Sequence, residues 1–105
     1  MNTEKKIKKF DFNTLTEQKQ KRLIALSILE DKIKIVNKGK IIDWTNNTQR
    51  KFEPIFDMRN GGFSCYLTYY WHASTVVPSA LVFLDETKVV EFVNENIELY
   101  KDLYI

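Results

Sequence analysis

From Leu15 to Val36 the apolar positions of the chain recur at helical spacing. Leu15, Arg22, Leu26, Leu29, Ile33 and Val36 fall on one stripe, and Ile24, Ile28 and Ile35 widen it. Gln18, Lys21, Asp31, Lys34 and Lys38 point the other way. The pattern predicts an N-terminal helix over about residues 15–38. Its start is marked by the capping box Thr14-Leu15-Thr16-Glu17, in which a hydroxyl and a carboxylate satisfy two free backbone donors. Its stop is Gly39, which takes a left-handed conformation without a Cβ clash. Residues 33–42 also scan as a hairpin, Ile33 and Ile35 alternating before an Asn37-Lys38-Gly39-Lys40 turn. The unbroken stripe favours the helix, and the strand reading stays open from Ile33 onward.

The period then changes. Asp43, Thr45, Asn46, Asn47 and Thr48 form a polar connection suited to capping turns, with Trp44 as its one large apolar anchor. Phe52, Pro54, Phe56 and Met58 alternate with Glu53, Ile55 and Asp57, which predicts a strand with the first set inward. Pro54 assigns that strand to an edge or a bulge, because it lacks a ladder donor. Arg59-Asn60-Gly61-Gly62 reads as the turn of a hairpin. In the strand that follows, Phe63, Cys65, Leu67, Tyr69 and Trp71 make a core face, and Ser64, Tyr66, Thr68, Tyr70 and His72 an amphipathic one.

After a loop, the apolar run Ala80-Leu81-Val82-Phe83-Leu84 predicts a third strand. Asp85 caps a C-terminal helix over about residues 86–103. Val89, Phe92, Val93, Ile97, Tyr100 and Tyr104 form its buried stripe, and Glu95, Glu98 and Asp102 its wet side. The fold class is therefore α+β. A small antiparallel sheet of about three strands, a hairpin near 51–71 plus a strand near 80–84, packs against the two helices. At 105 residues the chain reads as one domain, with residues 1–9 a frayed basic arm.

Charge changes the picture. Residues 1–52 carry 13 Lys and Arg against 6 acids, a balance of +7, while residues 53–105 carry 3 against 8, a balance of −5. A molecule that keeps these halves apart presents one face to phosphates or acidic surfaces. The bland counterpart is a set of solvated lysines that serve solubility.

Catalytic chemistry finds little support in the residues. The single cysteine, Cys65, admits no internal disulfide, and no apolar run is long enough for a signal peptide or a membrane span, so the expected compartment is a reducing cytoplasm. Cys65 and the single histidine, His72, fall on opposite faces of the predicted strand, so they form neither a zinc site nor a nucleophile pair. Glu30-Asp31 and Asp85-Glu86 sit at helix surfaces and caps with no apolar pocket to raise one pKa. No phosphate-binding glycine motif occurs. The expectation is a protein that is not an enzyme, with no cofactor and no metal.

Binding remains. Lys21, Lys32, Lys34, Lys38, Arg50, Lys51 and Arg59 supply cations, and Tyr66, Tyr70 and His72 supply rings. Rings that stack on bases and cations that track phosphates suit single-stranded nucleic acid, and Tyr and Arg equally anchor protein interfaces. A helix laid over the same sheet face would account for the rings without any ligand.

A wider pattern adds a context. Asn37 and Gly39, then Asp43-Trp44 with Asn46, Gln49 and Lys51, then Phe56 with Met58, Gly62-Phe63, a Tyr-rich strand, Ser79-Ala80-Leu81-Val82-Phe83 and a closing Tyr100-Lys101-Asp102 resemble a group of small phage and prophage proteins without assigned activity. The likeness covers about residues 28–105. The chain departs from it in having Phe52-Glu53-Pro54-Ile55 where the group favours Tyr-Tyr-Pro-Trp. The resemblance implies a phage or mobile-element setting in a host cell cytoplasm. In that setting, the expected function is inhibition of a host defence effector, in the manner of anti-CRISPR proteins. The partner is a host protein, an RNA-guided nuclease being the leading case, whose guide or target strand is displaced or misplaced. Two alternatives stay open: a phage accessory protein that binds RNA or single-stranded DNA directly, and an oligomeric structural part of a virion.

Overall fold

The computed structural model describes residues 10–59, 64–71 and 81–105, and within 64–71 the backbone together with the Cys65 side chain. The predicted basic arm, the glycine turn, Phe63, His72 and Ala80 lie outside the described residues, as do the side chains of Tyr66 and Tyr70. Among the described residues the architecture is mixed α+β. A helix α1 (Glu17–Val36) precedes an antiparallel hairpin of β1 (Lys51–Asp57) and β2 (Ser64–Trp71), and two short helices, α2 (Val89–Glu95) and α3 (Ile97–Tyr104), close the chain. The helix α1 packs on α3, and α2 packs on both strands. Leu29 and Ile33 of α1, Phe52 of β1, Leu81, Phe83, Val89, Phe92, Val93 and Tyr100 make one buried cluster.

The first helix begins later than the capping box predicts. Asp11 accepts from the Asn13 N–H and caps a single 3-10 turn over Phe12–Thr14, and the Thr14 hydroxyl donates back to the Asp11 carbonyl. With Thr14 spent on that turn, Thr16 becomes the cap of α1 and accepts from the Lys19 N–H at 3.2 Å. Beyond Val36 the chain leaves the helix through two consecutive left-handed residues, Lys38 (φ 57°) and Gly39 (φ 71°). The hairpin reading of residues 33–42 is thus set aside. Glycine at the second position carries its conformation freely, whereas Lys38 adopts it against the usual Cβ penalty.

The widened stripe of α1 is corrected. Ala25, Leu29 and Ile33 face the core, but Ile24, Ile28 and Ile35 are exposed on a flank of the helix. At 100° per residue they sit too far from the buried face to turn inward with it.

In β1 the predicted alternation fails at its start. Lys51, Phe52 and Glu53 are all buried, while Met58 is exposed. A strand covered on both faces loses its period-two signature. Phe52 enters the apolar cluster, and the Lys51 side is roofed by the loop of residues 43–49. Glu53, two residues along the same side, is buried too. The β-ladder shifts register between Ile55 and Phe56, next to Pro54.

Residues 81–84 meet the sheet at one bridge, not as a strand of several residues. The Phe83 N–H and carbonyl pair with those of Phe52, at 2.8 and 2.7 Å. On its other side the ladder is taken by a side chain. The Asn37 amide donates to the Val82 carbonyl at 2.8 Å and accepts from the Leu84 N–H at 2.9 Å. A buried side-chain amide stands where a further strand would be.

The C-terminal helix is not continuous. Asp85 caps a 3-10 turn, Glu86–Lys88, which runs into α2, and Asn96 breaks the helix at φ −120°. The Asn96 side-chain amide donates to the Phe92 carbonyl at 2.9 Å and competes with the backbone for that acceptor. Lys32 of α1 then donates to the Asn96 Oδ1 at 2.6 Å. Val89, Phe92, Val93 and Tyr100 are buried as predicted, Ile97 is half-buried and Tyr104 is exposed.

Candidate functional site

The predicted cations separate into distinct roles once the chain is folded. Lys51 is fully buried. Its Nζ donates to the carbonyls of Asn46 (3.2 Å) and Gln49 (2.8 Å) and lies 5.1 Å from the centre of the Trp44 ring. It anchors the 43–49 loop and offers nothing to a partner, because its charge is consumed by two carbonyl dipoles and a ring face. The loop itself is held by paired turns, Asp43 accepting from the Thr45 N–H and hydroxyl and Asn46 accepting from those of Thr48.

Lys32 is similarly committed, through Asn96. Lys21 pairs with Glu17 one turn earlier at 3.8 Å on the open helix surface. Arg59 grips Asp57 with two bonds of 3.0 Å, which hold the Asp57 carboxyl below its ordinary value and the Arg59 guanidinium above its own. This pair sits at the rim of an open groove of about 580 Å³ lined by Ile55, Phe56, Asp57, Met58 and Arg59, and the two charges balance among the described lining residues. Arg50 is exposed.

One cationic cluster is assembled only by the fold. Lys38 and Lys40, from the end of α1, meet Lys88, from the 3-10 turn before α2, around a shallow groove of about 170 Å³ whose floor is Val36, Asn37 and Leu84. Lys34 stands at the last turn of α1, where its carbonyl accepts from the Gly39 N–H. Asp85 is the one acid among the described residues that line the groove. Its carboxyl is held below the ordinary value chiefly by the Thr87 hydroxyl and N–H, with the charges of Lys88 and Lys38 adding to them. Three lysines against one aspartate leave the groove positive. Asn37 fixes it, because the same amide that replaces a strand holds the two chain segments together.

Lys40 and Lys88 are additions to the residues legible in sequence. Lys40 follows the turn glycine and lies on no periodic face, and Lys88 is an isolated cation in the acidic half, 48 residues further along. Of the predicted cations, Lys38 lines the groove, and Lys34 stands in the last turn of α1 without lining it. The side chains of Tyr66 and Tyr70, and His72, fall outside the described residues.

A second polar cluster lies inside the molecule. Glu53 Oε2 and the Tyr100 hydroxyl are buried with no hydrogen-bond partner among the described residues. Burial, with Tyr104 and Cys65 as lesser neighbours, pushes the Tyr100 hydroxyl well above its ordinary value. Burial and then the Glu53 charge raise Tyr104 as well. Cys65 packs half-buried against the apolar core beside Tyr100, and burial raises its thiol above the ordinary value, which favours the protonated form. Among the described residues no group of His, Cys, Asp and Glu converges as a metal site, and no helix is long and apolar enough to cross a membrane.

No protein-family model, no curated protein and no solved structure matches the chain.

Proposed function

We propose that the protein is a small binding protein without catalysis of its own, which acts in a phage or prophage setting by occupying a nucleic-acid-handling effector of host defence. An RNA-guided nuclease is the leading target. The observation that carries this reading is the groove where Lys38, Lys40 and Lys88 converge at the end of α1. Cations from two separate segments, whose backbones a buried amide holds together, bring positive charge to one groove of a size that suits a phosphate. Such a site competes for the strand that the effector holds, or clamps it in the wrong place.

The test is capture of tagged protein from host lysate with and without nuclease digestion, followed by the same capture with a Lys34→Glu, Lys38→Glu, Lys40→Glu variant. A stoichiometric host protein that survives digestion, and whose retention falls about tenfold or more in the variant, supports the reading. Nucleic acid recovered alone transfers the assignment to a direct binder of RNA or single-stranded DNA. Equal loss of binding and of thermal stability in the variant would defeat both.

A further inference from the structure

The outward side of α1 carries a pattern that neither the core nor the cationic groove explains. Ile24, Ile28 and Ile35 are 49 %, 38 % and 77 % exposed, on a flank of the helix about 120° round from the buried Ala25, Leu29 and Ile33. With them on the same line stand Glu17, Lys21 and Asp31, so the residues Glu17, Lys21, Ile24, Ile28, Asp31 and Ile35 are spaced alternately four and three apart. That spacing is the seam of a two-helix coiled coil. A solvated helix face has no use for three isoleucines on such a line.

We propose that this face is the interface between two copies of the chain, with the two α1 helices packed antiparallel about a two-fold axis. The charges choose both partner and direction. Antiparallel packing that sets Ile24 of each copy against Ile28 of the other places each Lys21 opposite an Asp31, twice by symmetry, and leaves Glu17 and Ile35 facing one another at the two ends of the seam. A parallel pairing in register would instead stack Lys21 on Lys21 and Asp31 on Asp31. The seam spans the 20 residues of α1, fewer than the three to four heptads of an autonomous coiled coil, so the dimer is concentration-dependent and not obligate. Lys38, Lys40 and Lys88 lie past the end of the seam and stay accessible, so the proposal stands apart from the functional reading above.

Sedimentation equilibrium over a range of protein concentrations tests it. The expected mass rises from 12.5 kDa towards twice that value. Ile28→Glu, at a partly exposed position beside the proposed axis, should give a monomer with unchanged circular dichroism. Lys21→Asp alone should weaken association about tenfold or more, and Lys21→Asp with Asp31→Lys in the same chain should restore it, because each new pair is complementary again. Lys40→Glu should leave association unchanged. A monomer at every concentration overturns the proposal, as does a dimer that survives Ile28→Glu or a charge swap that fails to rescue.

Discussion

Asn37 and Val82 are joined at 2.8 Å by a side-chain amide that stands in for a β-strand. The same amide accepts from Leu84 at 2.9 Å, so one residue at the end of α1 takes both ladder positions flanking Phe83, whose own backbone is paired with Phe52. Helix, bridge and sheet are tied at this single point.

Removing that tie should be costly. Asn37→Ala leaves the Val82 carbonyl and the Leu84 N–H unpaired in a buried site, for an expected loss of about 2–4 kcal/mol in chemical denaturation. Asn37→Asp tests the donor separately. Its carboxylate would face the Val82 carbonyl oxygen, so the folded state favours the protonated acid and raises its pKa. The deficit relative to wild type is therefore expected to shrink as pH falls through that raised value and to be full at neutral pH. A deficit independent of pH would show that the amide donor does not matter.

Lys51 should behave as a structural residue. Lys51→Met keeps the aliphatic stem but leaves the carbonyls of Asn46 and Gln49 without their donor, and should cost about 1.5–3 kcal/mol. Trp44 fluorescence should change with it, as the ammonium leaves the ring. An unaltered melting temperature would contradict the burial of this lysine.

Acid should weaken the fold by a defined route. Asp43, Asp57 and Asp85 each have a carboxyl held below the ordinary 3.8, chiefly by hydrogen bonds from Thr45, Arg59 and Thr87 respectively. Their contribution is present above that unfolded value and is lost as pH falls through the lower folded ones. Thermal melts across that range should show stability dropping with acid, and the drop should flatten in a variant carrying Thr45→Val and Thr87→Val.

At the alkaline end Tyr100 sets the sign. Its hydroxyl is held neutral above the ordinary value of 10.0, so its contribution is present below that pH and lost above it. In an absorbance titration of the five tyrosines, Tyr100 should ionise only together with the loss of circular dichroism. Tyr100→Phe, which removes the buried hydroxyl without a partner, should be tolerated or stabilising and should abolish that coupled phase.

Lys32 and Lys34 should part company although they are two residues apart. Lys32→Glu sets a carboxylate against the Asn96 oxygen that now accepts from the lysine, and should destabilise the α1 to α3 contact by about 1–3 kcal/mol. Lys34→Glu, on the exposed side, should leave the melting temperature within about a degree or two, as surface substitutions do.

Local chemistry determined the elements. The period of Leu29, Ile33 and Val36, the left-handed stop at Gly39, the Asp43 and Asn46 turns, the Asp85 cap and the apolar spacing of Val89, Phe92, Val93 and Tyr100 all depend on neighbours within a few residues, so they were legible in the chain alone. What only the tertiary structure decided is which polar groups are spent inside the molecule. Lys51 is buried because a loop folds over it, Lys32 is bound to an asparagine 64 positions away, and Asn37 replaces a strand 45 residues downstream. The cationic groove follows the same logic, since Lys88 reaches Lys38 and Lys40 only across that contact. A charge or an amide carries no periodic mark of its partner; where it ends up is set by the long-range packing that brings the partner to it.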